Sequence, residues 1–267
     1  WTGNGSTQSI TLDGDENMQP DIVWIKNRDA ADQHCVFNSF RGATKVMDTD
    51  NTPETTDADT LTSFDSDGFS LGADVKVNTN TEKYVAWCWK ESATAGLDIV
   101  NWTGNQTQRD ISHSLSAVPE WIMTWCHESD KQRTCYHKDM AADPDNAGIF
   151  LNSNAVPTTG TAGYFGNTAP TSSVFTIGSS TNVNNNGSTL WSYTFAPIQG
   201  FSKFGSYVGN GNVDGTYVHL GFRPAWIMYK RVTDGTEGWV IQDNKVSPTN
   251  VSHLIQNANS NGAETDS

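Results

Sequence analysis

Basic residues are scarce: 16 Lys and Arg stand against 30 Asp and Glu in 267 residues, a formal net charge of −14. A chain this short of cations is poorly equipped to displace phosphate counterions, which argues against nucleic-acid binding. An anionic membrane surface would repel it. Long apolar runs are missing as well. Nothing approaches the roughly 18 residues needed to cross a bilayer, so no membrane insertion is expected, and no signal peptide is visible. Four cysteines, Cys35, Cys88, Cys126 and Cys135, are too few for a disulfide framework. No segment sustains a helical period; Asn250–Ala258 alone has room for two turns.

What the chain has is repetition. Trp1-Thr2-Gly3-Asn4 returns as Trp102-Thr103-Gly104-Asn105 and again as Tyr207-Val208-Gly209-Asn210. Each opening is followed by a proline leading an apolar run: Pro20 to Lys26, Pro119 to Met123, and Pro224 to Lys230. Phe69-Ser70-Leu71-Gly72 corresponds to Phe175-Thr176-Ile177-Gly178, and Val77-Asn78 to Val183-Asn184. The period of about 100 residues is too long for a solenoid unit and suits a small domain. Boundaries are placed at 1–95, 96–199 and 200–267. The third copy ends before a Phe-x-Leu-Gly segment or closing strand, so the chain is read as a piece of a longer polypeptide.

Trp191, Tyr193 and Phe195 alternate with Ser192 and Thr194, the period of two of a strand with one buried face. The runs after each proline are apolar on both faces, as in a central strand. Asn-Gly pairs at Asn4, Asn186 and Asn210 suit tight turns with positive φ. Thr233-Asp234-Gly235-Thr236 reads as the turn before a strand at Trp239-Val240-Ile241. The fold class expected is all-β: tandem β-sandwich modules of jelly-roll or concanavalin-like type, about 100 residues each. In this alignment Cys35, Cys135 and Trp239 share a position, which suggests a buried apolar site.

Chemistry-bearing residues are few. If the second copy turns near Asp130, Cys126 and Cys135 face each other with His137 close by. That would permit a cross-strand disulfide or three ligands of a zinc site, with free buried thiols as the simpler alternative. Asp65 and Asp67, one of several acidic pairs, have the alternation that can hold calcium, but solvated turn residues explain them better, and no metal site is expected. No cofactor is expected. His113 and His219 recur without a recurring nucleophile, and no enzyme is expected. Tyr164 and Phe165, inside a Gly- and Thr-rich loop, are the expected exposed aromatic pair for ligand contact. Trp1, Trp102 and Tyr207 are expected at the junctions between modules.

The Tyr/Trp-x-Gly-Asn opening, the approach Ile111, His113, Leu115, Pro119, the phrase Thr168 to Phe175 and the joining phrase Ala196 to Tyr207 together resemble a repeated β domain. That domain occurs in tail-fibre and other virion-appendage proteins of tailed phages, particularly marine and cyanobacterial ones. The resemblance covers almost the whole chain and brings no catalytic residues. It implies a virion protein assembled in the host cytoplasm and partnered by other virion proteins. It further implies host contact, with a surface polysaccharide as one target, and a homo-oligomer, a trimer suiting a fibre. Two alternatives stay open: a capsid-decoration or scaffold protein, and the non-catalytic part of a polysaccharide depolymerase.

Overall fold

The computed structural model describes residues 1–50, 52–235, 237–249 and 251–266. The chain is all-β. Its first part forms β1 (Gln8–Thr11), β2 (Ile22–Asn27), β3 (Cys35–Asn38), β4 (Lys45–Asp48), β5 (Thr55–Thr56), β6 (Leu61–Asp65), β7 (Gly68–Leu71) and β8 (Tyr84–Trp89). The second contributes β9 (Leu97–Thr103), β10 (Arg109–Ser112), β11 (Trp121–Cys126), β12 (Thr134–His137), β13 (Ala147–Phe150), β14 (Thr158–Thr159), β15 (Val174–Ile177) and β16 (Thr189–Phe195). The third contributes β17 (Trp226–Tyr229), β18 (Val240–Asp243), β19 (Leu254–Asn257) and β20 (Thr265–Asp266). Single helical turns, α1 (Val75–Asn78) and α2 (Thr181–Asn184), precede β8 and β16. The Asn250–Ala258 stretch is not helical: its described part carries strand β19, whose Leu254 and Ile255 pair with β20.

Three antiparallel sheets dominate, ordered β5-β4-β3-β2-β8, β14-β13-β12-β11-β16-β9 and β17-β18-β19-β20. The post-proline runs β2 and β11 are central and buried at every residue, as their two-sided apolarity predicts. Alternate residues serve different cores. Val23 and Ile25 point towards a small covering sheet, β1-β7-β6, and pack with Phe37, Leu61, Phe69 and Leu71. Ile22 and Trp24 point the other way, into a larger cluster. That cluster also holds Trp121, Met123, Cys135, Tyr193, Trp239 and Ile241, so side chains from all three large sheets meet in one core. Burying a large apolar side chain contributes about 1.5–3 kcal/mol.

The closing strand β16 is where the sequence suggests, but it has no solvent face. Ser192 and Thr194 are as buried as Tyr193, and their hydroxyls bond each other at 2.9 Å. The strand lies between two neighbours, β11 and β9, and is covered on both faces.

The repeated opening motif has a local structural role. Gly3 and Gly104 lie flat against the backbone after each helical turn; a Cβ would sit 2.1 Å from the Thr79 carbonyl oxygen or 2.0 Å from that of Asn185. Asn4 and Asn105 receive backbone anchoring from the buried Asn78 and Asn184: each backbone N–H donates to the Asn Oδ1, at 2.9 and 2.8 Å. Those two asparagines donate in turn to the carbonyls of Gly72 and Gly178. The opening, the helical turn and the Phe-x-Leu/Ile-Gly strand are thus bound into one unit.

Candidate functional site: the junction of three sheets

The residue preceding the second strand of each large sheet is His34, Arg133 or Trp239. All three are buried, and each side chain reaches a different sheet. His34 Nε2 meets the Asn257 carbonyl at 3.1 Å, Arg133 Nη2 donates to the Asp48 carbonyl at 3.2 Å, and Trp239 Nε1 donates to the Phe150 carbonyl at 2.8 Å. Asp48, Phe150 and Asn257 are themselves equivalent, each the last residue of a third strand and each paired with the first residue of a second strand. The contact is therefore head-to-tail, first to third, third to second, second to first, and it closes into a ring.

A second tier of contacts follows the same rule. Glu264 N donates to Arg28 O and Glu54 N to His127 O, both at 2.9 Å. Their side chains pair as well, Arg28 with Glu264 through two bonds of 2.8 Å and His127 with Glu54 at 3.0 Å. At the third junction Pro157 occupies the place of the two glutamates and has no N–H to give. It instead lines a shallow open pocket of about 350 Å³ with Met140 and Val232.

Cations neutralise a third tier. Lys26 Nζ donates to the carbonyls of Asn27 and Asn261, and Lys230 Nζ to those of Arg231 and Asn154. The second copy has Trp125 at that position. There the Arg133 guanidinium lies 5.3 Å from the Trp125 ring centre and bonds the corresponding carbonyls, Cys126 O at 3.3 Å and Thr52 O at 2.5 Å. Arg133 combines the work that His34 and Lys26 divide. Burial lowers the Arg133 pKa to about 10, against the pull of Asp50, so it remains a cation at neutral pH.

His34 is neutral. Burial and then the Lys26 charge push its pKa down to about 3. Trp24 Nε1 donates to its Nδ1 at 2.9 Å, which leaves Nε2 as the protonated nitrogen that donates to Asn257. Aromatic edges fill the remaining space: Trp226 against Trp87 and Trp89 at 6.4 and 5.6 Å, and Trp121 against Trp239 at 5.4 Å. Trp87 Nε1 also donates to Asp243 at 3.1 Å.

Several expected sites lie elsewhere. Phe165 is 1% exposed and meets Tyr136 edge-on at 5.4 Å. Its partner Tyr164 leans on Phe150 and covers Gly148. Their loop folds back over the second sheet, where Phe165 occupies the place that Leu61 fills in the first; the pair is not an exposed one. Trp1 and Trp102 are not at junctions. Each packs on its own repeat's phenylalanine, Phe69 at 5.8 Å and Phe175 at 5.9 Å. Tyr207 is 54% exposed.

Cys126 and Cys135 do not face each other. Cys135 pairs with Met123, three residues from Cys126, so the two thiols lie on opposite faces of the sheet. All four cysteines are free, and burial raises the pKa of each thiol. No group of three or more metal-ligating His, Cys, Asp or Glu side chains occurs among the described residues. Asp65 accepts hydroxyl protons from Ser63 and Ser70 at 2.7 Å each, and Asp67 accepts from Met18 N. The strand registers correct the expected correspondence: His34 and Arg133, one residue before Cys35 and two before Cys135, are the residues that match Trp239. Thr236, in the expected turn, lies outside the described residues. No helix among the described residues is long and apolar enough to cross a membrane.

Comparison with curated proteins gives no match, and comparison with solved structures gives none. A family described as "Domain of unknown function (DUF7483)" matches residues 1–267. The chain belongs to that family.

Proposed function

We propose that this DUF7483 member is a non-enzymatic structural protein of a phage virion, part of a tail fibre or similar appendage that contacts the host cell surface. Its units are β-sandwiches of jelly-roll or concanavalin-like type arranged in tandem. The observation that carries the reading is the closed ring: His34, Arg133 and Trp239, three unlike side chains, make the same inter-sheet bond. A junction maintained while its chemistry changes is selected for geometry, as expected of a rigid load-bearing body. The acidic, polar surface and the sequence resemblance support the virion assignment. Loops at the rim of such a body would touch a host polysaccharide weakly, and many copies on one particle would multiply the contact.

The test is gold-labelled antibody against this chain on intact particles from its source. Label at distal fibre positions supports the proposal. Label spread over the head makes the protein a decoration component, and absence of label from every particle removes the virion reading.

A further inference from the structure

The third sheet differs from the other two in what covers it. Ile227 is 39% exposed, whereas its equivalents Val23 and Ile122 are fully buried. Tyr229 is exposed where Ile25 and Thr124 are buried. Among the described residues strand β17 pairs only with β18, while β2 and β11 each have a second partner, β8 and β16. The segment ahead of β17 carries Val208, Val213 and Tyr217, all strongly exposed; the matching segments of the other copies form β1 and β10, paired with β7 and β15.

This surface is already shaped. Gly211 has φ +67°, matching +66° at Gly5 and +55° at Gln106. Asn212 N donates to Asn210 Oδ1 at 3.0 Å, as Ser6 does to Asn4 and Thr107 to Asn105. The opening turn is therefore formed, yet Gly209 has open space where Gly3 and Gly104 meet backbone. The helical turn with its buried asparagine is what occupies that space in the other two copies.

We infer that the outer face of the third sheet and the free edge of β17 form a docking surface for one kind of partner: a segment with the chemistry of residues 160–196. The internal copies specify how it would sit. A strand like β15 would pair with the segment near Val213 to Tyr217 and set its phenylalanine against Tyr207. A helical turn like α2 would offer its asparagine to Asn210 N. A strand like β16 would add antiparallel to β17, and the strand like β15 would lie over Ile227 and Tyr229, as β7 lies over Val23 and Ile25. Strand addition of this kind takes its affinity from the backbone ladder and its specificity from alternate side chains.

The experiment adds a synthetic peptide of residues 160–196 to the full chain and follows amide exchange. Slowing by about tenfold or more at Trp226–Tyr229 and at residues 207–212 is expected. The same peptide carrying Asn184→Ala should lose the effect. Because a free peptide loses conformational entropy on docking, a second protein carries a copy of residues 160–196 after Ser267, and the same amides are read. Protection in either form, lost with Asn184→Ala, supports the inference. Unchanged exchange in both overturns it. So does a dimer of the unmodified chain in which β17 amides are already protected, because a second copy would then be the occupant.

Discussion

Trp239 Nε1 donates to the Phe150 carbonyl at 2.8 Å, and with that bond the third sheet closes the ring begun by the first. Trp239→Phe keeps an aromatic ring in place and removes one of the two donors to the Phe150 carbonyl, which retains Ser153 N at 3.2 Å, a loss of about 0.5–1.5 kcal/mol. Trp239→Ala adds a cavity and should cost about 3–5 kcal/mol. Urea unfolding measures both. If the sheets act as one body, each variant moves a single transition; a third sheet melting alone would contradict the shared core.

Arg133 and Trp125 should be energetically coupled. Arg133→His places the first copy's residue where Trp125 cannot supply the missing cation, so the carbonyls of Thr52 and Cys126 lose donors; about 2–4 kcal/mol of stability should go. Adding Trp125→Lys recreates the Lys26 and His34 pairing and should recover at least half of that. A double-mutant cycle reads the coupling, expected at about 1–3 kcal/mol; additive effects would mean that Arg133 does not replace the lysine.

Much of this fold was legible in the residues. The two-sided apolar runs after Pro20 and Pro119 predict central strands, and the Trp191–Tyr193–Phe195 alternation predicts β16. The buried status of Ser192 and Thr194 was not legible, because it depends on which strands flank β16. The ring was hidden for a related reason. His34, Arg133 and Trp239 share no chemistry, and their common property is a bond to a carbonyl in another repeat. One signal was available: Lys26 and Lys230 are charged residues in otherwise apolar runs, and Trp125 breaks that pattern.

His34 makes stability depend on pH. It stays neutral in the fold down to about pH 3, against an ordinary value of 6.5. Between those values the unfolded chain binds more protons than the folded one. The His34 contribution is therefore complete above about pH 6.5 and is lost progressively as the pH falls towards 3. His127 and His137, also lowered by burial, act in the same direction. His34→Gln can keep both bonds without titrating. It should reduce the stability slope between pH 6 and 4 by up to about 1.4 kcal/mol per pH unit, measured by urea unfolding at a series of pH values; an unchanged slope would show that His34 does not titrate between the states.

Phe165→Ala separates a core role from a binding role. Phe165 packs on Tyr136 in a closed interior, so its loss should cost about 3–5 kcal/mol. A thermal melt would detect that directly. At a temperature where the variant is still folded, binding to host cells should match the parent chain, and a selective loss of binding with full stability would restore the loop as a ligand site.

The repeated glycines should respond unequally to one methyl group. Gly104→Ala drives a Cβ to 2.0 Å from the Asn185 carbonyl oxygen, where only a backbone shift can relieve it, whereas Gly209→Ala meets nothing within 4 Å. Overpacking against backbone costs about 1–3 kcal/mol, and Gly104→Ala also weakens the hold of Asn184 on the opening motif. Gly209→Ala should leave stability within about 0.5 kcal/mol of the parent. The two melts compared side by side decide the matter: equal losses would mean that the third opening motif is already packed, and a loss confined to Gly104→Ala confirms that the same sequence signature is engaged in the second copy and vacant in the third.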